Sequence, residues 1–229
     1  MSKDTNKNYS ILMIGNSFSY CNNMNAADGI LYRVATEEGY NVTVTPIHQG
    51  GYYLHKFLDP SDPFGAQVKE KLENNRYDMI VIQEQSNFAI RDPETFLDSC
   101  KRFKEKADEN GAELCLYATW GYKDGCPKLE TFGPSSADMG IKLRHAYTDA
   151  AEKIGANIAQ VGTAFIEIGD KLELYDTDKQ HPSLLGSTLA AYTICGSLFG
   201  IDPKELKYTG DLDNETAELL KAAASNAKK

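Results

Sequence analysis

Ile11-Leu12-Met13-Ile14-Gly15-Asn16-Ser17-Phe18-Ser19 opens as a four-residue apolar run, breaks at a glycine and continues into two serines. The apolar part reads as a strand covered on both faces, as in a parallel sheet. A helix-like pattern begins near Met24, which makes residues 15–19 a tight strand-to-helix turn. Open α/β sheets bind their ligands at the carboxyl ends of their strands, where such turns lie. Ser17 therefore stands where a reacting serine is expected.

Strand-like and helix-like segments alternate along the rest of the chain. A helix over 24–38 carries Ile30, Leu31 and Val34 on one face and stops at Gly39. Val42 and Val44 alternate with threonines in a second strand, and Val68 and Leu72 mark a short helix over 67–73. Met79-Ile80-Val81-Ile82 is another unbroken apolar run. Asp92-Pro93 reads as the N-cap and first-turn proline of a helix on which Phe96, Cys100, Phe103 and Ala107 share a face until Gly111. Residues 114–117 form a fourth strand, and Leu143, Tyr147, Ala150 and Ile154 a long helix closed by Gly155. A fifth strand over 158–161, an apolar helix over 184–199 and a polar helix over 215–224 complete the chain.

Parallel strands need right-handed crossovers, so this succession predicts an α/β fold with a central, mostly parallel five-stranded sheet between two helical layers. No repeat or low-complexity linker interrupts it. Residues 1–229 read as one domain, with 1–8 as a flexible tail. The longest stretch without a regular period, 119–136, holds Trp120, Tyr122 and several glycines and prolines. A loop of that length in a compact domain is usually functional or mobile.

Composition narrows the function. Hydrophobic residues make up 41% of the 229 and charged residues 25%, the balance of a globular chain rather than a disordered one. The net charge of -9, with no Lys/Arg cluster, argues against nucleic acid as a partner. The five cysteines include no Cys-x-x-Cys pair, which disfavours zinc and thioredoxin-type chemistry; Cys100, Cys115 and Cys195 read as core side chains. No converging ligand set suggests a metal, no cofactor is implied, and His48, His55 and His145 are scattered. Residues 1–8 are polar, and nothing later reads as a membrane span. Taken as written the chain reads as cytoplasmic; one relieved of a signal peptide, secreted or periplasmic, would read the same.

The chemistry comes from a second motif, Asp178-Lys179-Gln180-His181-Pro182-Ser183, just before a helix. A serine hydroxyl needs a base to take its proton, and histidine suits that task. A carboxylate on Nδ1 holds the imidazole in the working tautomer. Asp178 and His181 are three apart in a turn-like segment, so both can project the same way. Ser17, His181 and Asp178 thus supply the parts of a Ser-His-Asp hydrolase; Asp176 is a rival acid.

Residues 15–19 resemble the first block of the SGNH (GDSL-like) hydrolases, in which Gly-Asp-Ser or Gly-Asn-Ser carries the nucleophile. Asp178-Lys179-Gln180-His181-Pro182 resembles the last block, Asp-x-x-His-Pro. The resemblance implies a flavodoxin-like three-layer α/β/α sandwich and ester hydrolysis through an acyl-enzyme. It assigns Ser17 as nucleophile, His181 as base and Asp178 as orienting acid. It also implies an oxyanion hole shared by the Ser17 backbone with a glycine of Gln49-Gly50-Gly51-Tyr52, Gly51 being favoured over Gly50. The third block departs from the family. Where Gly-x-Asn-Asp is usual, the chain has Gln83-Glu84-Gln85-Ser86-Asn87, so Asn87, Gln85 or Gln83 could supply the side-chain amide.

The substrate class expected is a small acyl ester, with O-acetyl groups on carbohydrates in view. Tyr52, Trp120 and Tyr122 are the candidate aromatics for a sugar ring. A flavodoxin-like module that cradles phosphate at 15–19 is the reading from another class, and an inactive relative of the family is a third.

Overall fold

The computed structural model describes residues 3–228. Five strands, β1 (Asn8–Gly15), β2 (Asn41–His48), β3 (Met79–Ile82), β4 (Glu113–Tyr117) and β5 (Asn157–Ala159), form one sheet in the order β2-β1-β3-β4-β5. Every pairing is parallel, with Ile14 opposite Ile47 on one side and Ile82 on the other. Ile11–Ile14 and Met79–Ile82 are buried because helices cover both faces of these inner strands. Pro46, which cannot donate to a ladder, falls on the edge strand β2.

The helices are α1 (Ser17–Tyr20), α2 (Ile30–Glu37), α3 (Leu54–Phe57), α4 (Pro63–Asn74), α5 (Phe88–Arg91), α6 (Pro93–Asn110), α7 (Ser136–Ile154), α8 (Val161–Ile168), α9 (Leu184–Phe199) and α10 (Asn214–Asn226). Helices α2, α8, α9 and α10 pack together as one layer, and α3, α4, α5, α6 and α7 as the other. This is the three-layer α/β/α arrangement. The strand order reverses between β1 and β3, so the turns leaving those two strands flank the crevice where such sheets bind ligands.

Local signals explain most boundaries. Asp92 caps α6 through Thr95 N–H, and Pro93 takes its first turn; Gly111 and Gly155 close α6 and α7 in the left-handed conformation. The helix expected over 24–38 starts only at Ile30. Asn22 and Asn23 adopt positive φ, and Gly29 lies against the Asn23 carbonyl, so turns occupy the preceding residues. The fifth strand ends at Ala159, and Val161 opens the unexpected α8.

The segment expected as a flexible tail makes contacts from Lys3 onward: Lys3 N–H donates to Phe199 O, and Lys7 pairs with Asp78. Met1 and Ser2 lie outside the described residues. Among the described residues, no helix is long and apolar enough to cross a membrane.

Candidate active site

Ser17 follows β1 and begins α1. Asn16 shapes the turn: its side-chain oxygen accepts Phe18 N–H, its carbonyl accepts Ser19 N–H, and its Nδ2 donates to Tyr52 O at 3.1 Å. From the end of β3 comes Gln83, fully buried, whose Oε1 accepts both Asn16 N–H and the Ser19 hydroxyl at 2.9 Å. With the Asn16, Phe18 and Ser19 N–H groups engaged in this way, the turn keeps the Ser17 N–H as its free donor, fewer than a phosphate cradle needs.

The structure brings Ser17, His181 and Asp178 together. His181 Nε2 lies 2.8 Å from Ser17 Oγ, and His181 Nδ1 hydrogen-bonds Asp178 Oδ2. Asp178 Oδ1 also accepts the backbone N–H groups of Gln180 and His181, each at 2.9 Å. Partial burial works to raise the Asp178 pKa, but these bonds from His181 and Gln180 outweigh it and hold the carboxyl below its ordinary value. The rival Asp176 turns instead to Thr177 N–H, and its backbone pairs with His181 O.

The 178–181 loop is fixed from beneath by Trp120. That ring stacks between Phe18, at 4.4 Å, and Phe165, at 4.3 Å, and its Nε1–H donates to Gln180 O at 3.0 Å. Trp120 is therefore 0% exposed and cannot offer a face to a sugar, contrary to the expectation from sequence. Tyr122 is corrected likewise: it is buried, with its hydroxyl bonded to Ser86 Oγ and Asn87 Nδ2. Tyr52 is half-buried against Phe57 and Phe64, and its hydroxyl donates to Asp62 at 2.6 Å. The 119–136 loop spends its aromatics on the core.

The loop after β2 is tethered beside Ser17. Gln49 N–H donates to Gly15 O, Tyr52 O accepts Asn16, and Gly51 takes φ +70°, a conformation that favours glycine. Among the described residues, none accepts the N–H of Ser17 or Gly51. Past β3, the Gln85 amide donates to Ser86 Oγ, while Asn87 is buried with its Oδ1 unpartnered. Gln83, open from the sequence as an amide donor, is committed instead to holding the turn at Asn16.

One residue escaped the sequence reading. Glu84 is completely buried, and burial raises its carboxyl to about 7 against the opposing pull of bonds from Gln85 and Leu54 N–H and of Arg91. The signal available was position: Glu84 stands two residues beyond an unbroken apolar strand, where the chain is still inside the core.

No protein-family model matches the chain, and no curated protein matches it in sequence. Solved structures do. A protein of Slackia heliotrinireducens assigned to the SGNH hydrolases is 33% identical, with a TM-score of 0.73 over 84% of this chain and 100% of its own. A DUF4886 family protein from Bacteroides uniformis, 20% identical, reaches a TM-score of 0.77 over 97% of this chain and 95% of its own. An acetyl-xylooligosaccharide esterase from Geobacillus, 15% identical, shares the fold at a TM-score of 0.58, covering 83% of this chain and 94% of its own.

Proposed function

This chain belongs to the SGNH (GDSL-like) hydrolase family, and on that premise we propose that it is a serine esterase cleaving small acyl esters, O-acetyl groups on carbohydrates foremost. The observation that carries this reading is the hydrogen-bonded chain from Ser17 Oγ through His181 to Asp178.

In the proposed reaction, Ser17 Oγ attacks the ester carbonyl carbon while His181 Nε2 takes the hydroxyl proton. The resulting imidazolium is held by Asp178. Collapse breaks the bond to the alcohol, which leaves with the proton from His181, and the acyl group stays on Ser17. Water then attacks that ester, giving a proton to His181, and the acid departs as Ser17 recovers its own. The oxyanion binds the unengaged N–H groups of Ser17 and Gly51. Gln85, partly exposed, can turn its amide toward the same oxygen; Asn87, enclosed with Tyr122, is the weaker candidate.

Support for a short acyl group comes from the surface. Among the described residues the exposed large apolar side chains are Ile141 and Leu184, so no extended wall stands ready for a fatty tail. Each methylene is worth about 0.8 kcal/mol only where such a wall receives it. For the alcohol, Tyr20, whose hydroxyl lies by Gly50, and Tyr52 and Tyr53, which follow Gly51, are partly exposed aromatics, suited to a sugar ring. The Geobacillus esterase of the same fold acts on acetylated xylooligosaccharides.

The test has two arms. A serine-reactive phosphonate should label Ser17 in the wild type and nothing in Ser17→Ala. Acetyl, butyryl and octanoyl esters of one alcohol should give falling kcat/KM with chain length. Labelling elsewhere, or a rise with length, overturns the corresponding part.

A further inference from the structure

Glu84 joins the two loops on which the proposed oxyanion hole depends. Leu54 N–H, three residues beyond Gly51, points at both carboxylate oxygens, 3.2 Å from Oε1 and 3.3 Å from Oε2. Gln85 N–H donates to Oε1 at 2.6 Å. The loop bearing Gly51 is thus pinned at its start by Gly15, in its middle by Asn16 and at its end by Glu84. The third-block loop is pinned to the same carboxylate at its first residues.

An ionised carboxylate is purely an acceptor, which is what two converging N–H donors require. A proton on Oε1 would face the Gln85 N–H donor 2.6 Å away, and one on Oε2 would weaken that oxygen's bond to Leu54 N–H. A buried charge is costly without compensation, and a glutamine or an apolar side chain would fill the same space more cheaply. The charge therefore calls for a task that a neutral group does not perform.

We infer that Glu84 is a positioning residue: its carboxylate sets the spacing of the Gly51 loop and the Gln85 loop, and the enzyme is fully competent only while Glu84 is ionised. This inference rests on the esterase reading above. The groups that face Glu84 are few. Arg91 favours its charge and Asp92 opposes it, both from the segment after β3. Tyr147 of α7 places its hydroxyl 3.3 Å from Glu84 N, and Cys100 lies on α6; burial and the Glu84 charge push both of their pKa values well up, so both stay neutral. Glu84 is the member of this cluster that changes charge near neutrality.

The experiment uses the full chain with p-nitrophenyl acetate. Glu84→Gln should lower kcat roughly 10- to 100-fold, the scale of a small misplacement of reacting groups, with KM changed by less than about threefold. In the wild type, the pH profile of kcat/KM should carry an acidic transition near neutrality that is missing from Glu84→Gln, the one assigned to the Glu84 carboxyl. Infrared difference spectra should show a buried protonated carboxyl appearing as the wild type is acidified through neutrality, absent from Glu84→Gln and retained in inactive Ser17→Ala. That last readout does not depend on turnover, so failure of the esterase reading and failure of this one are distinguishable. Wild-type kcat and an unchanged pH profile in Glu84→Gln overturn the proposal, even if the variant melts earlier. Should that variant not fold, Glu84→Asp must keep the acidic transition near neutrality at reduced kcat, and its absence from the wild type overturns the proposal.

Discussion

Gly15 lies so close to Gln83 that a methyl group in place of its hydrogen would come within 2.7 Å of Gln83 Oε1. The same oxygen holds Asn16 N–H and the Ser19 hydroxyl, on either side of Ser17. Gly15→Ala should therefore act on the site as much as on the fold. We expect about 1–3 kcal/mol of lost stability from overpacking and a fall in kcat of roughly 10- to 100-fold as the turn shifts. Urea unfolding and steady-state kinetics measure the two. A destabilised variant with wild-type kcat would show that Gln83 does not set the turn. Gln83→Ala should cost about 1–3 kcal/mol as well, by orphaning two buried donors.

Asp178 and Asp176 make a sharp pair for mutagenesis. Asp178→Asn removes the acceptor on His181 Nδ1 and should cost on the order of 10⁴-fold in kcat, against about 10⁶-fold for Ser17→Ala. Asp176→Asn should leave kcat within about twofold, because among the described residues its side chain hydrogen-bonds only Thr177 N–H. Asp178 is depressed in the folded chain, so the hydrogen bonds to its carboxylate contribute stability above the ordinary value of 3.8 and lose it as pH falls through the lower folded value. A crippled Asp176→Asn beside a healthy Asp178→Asn would reverse the assignment.

Trp120 is the chain's sole tryptophan and is enclosed between Phe18 and Phe165. Its fluorescence should emit at short wavelength in the folded state and shift red on unfolding, in step with loss of activity. Trp120→Phe keeps the stacking and deletes the bond to Gln180 O, at a cost of about 1 kcal/mol. Because that bond supports the loop bearing Asp178 and His181, kcat should fall more than KM changes. Trp120→Ala should cost about 3–5 kcal/mol. Emission typical of exposed indole in the native protein would contradict the sandwich.

Where local chemistry and tertiary packing agree, the sequence was readable. The runs at Ile11–Ile14 and Met79–Ile82 could only be inner parallel strands, and Asp92-Pro93, Gly111 and Gly155 carry their caps in their own side chains or the lack of one. The Asp-x-x-His spacing brought Asp178 onto His181 because a turn of that length closes on itself. What stayed hidden depends on partners distant in sequence. Nothing near Trp120 announces that Phe18 and Phe165 will take both of its faces. Gln83 looks like an oxyanion amide until Asn16 N–H and Ser19 converge on its oxygen. Val161 looks like the end of a strand, yet Gly162 lets α8 pack against the Thr119 carbonyl at a distance that only glycine allows.

Glu84 also makes a thermodynamic prediction opposite in sign to its catalytic one. Burial raises its carboxyl from 4.5 to about 7 in the folded chain, so between these values the native state holds a proton that the unfolded state has lost. Stability from this group is then fully present below pH 4.5 and is lost as pH rises through about 7, a change on the order of 3 kcal/mol. Glu84→Gln carries no titrating group there, and the other carboxylates are common to both proteins. The stability of wild type minus that of Glu84→Gln, from urea unfolding, should therefore be more favourable at pH 5 than at pH 8 by about 2–3 kcal/mol. A difference independent of pH would mean that the buried carboxyl titrates normally, and would remove the acid limb assigned to it. If the difference follows the expected course, activity and stability respond to the same proton in opposite directions. That conflict is a recurrent cost of placing a charge where function rather than folding needs it.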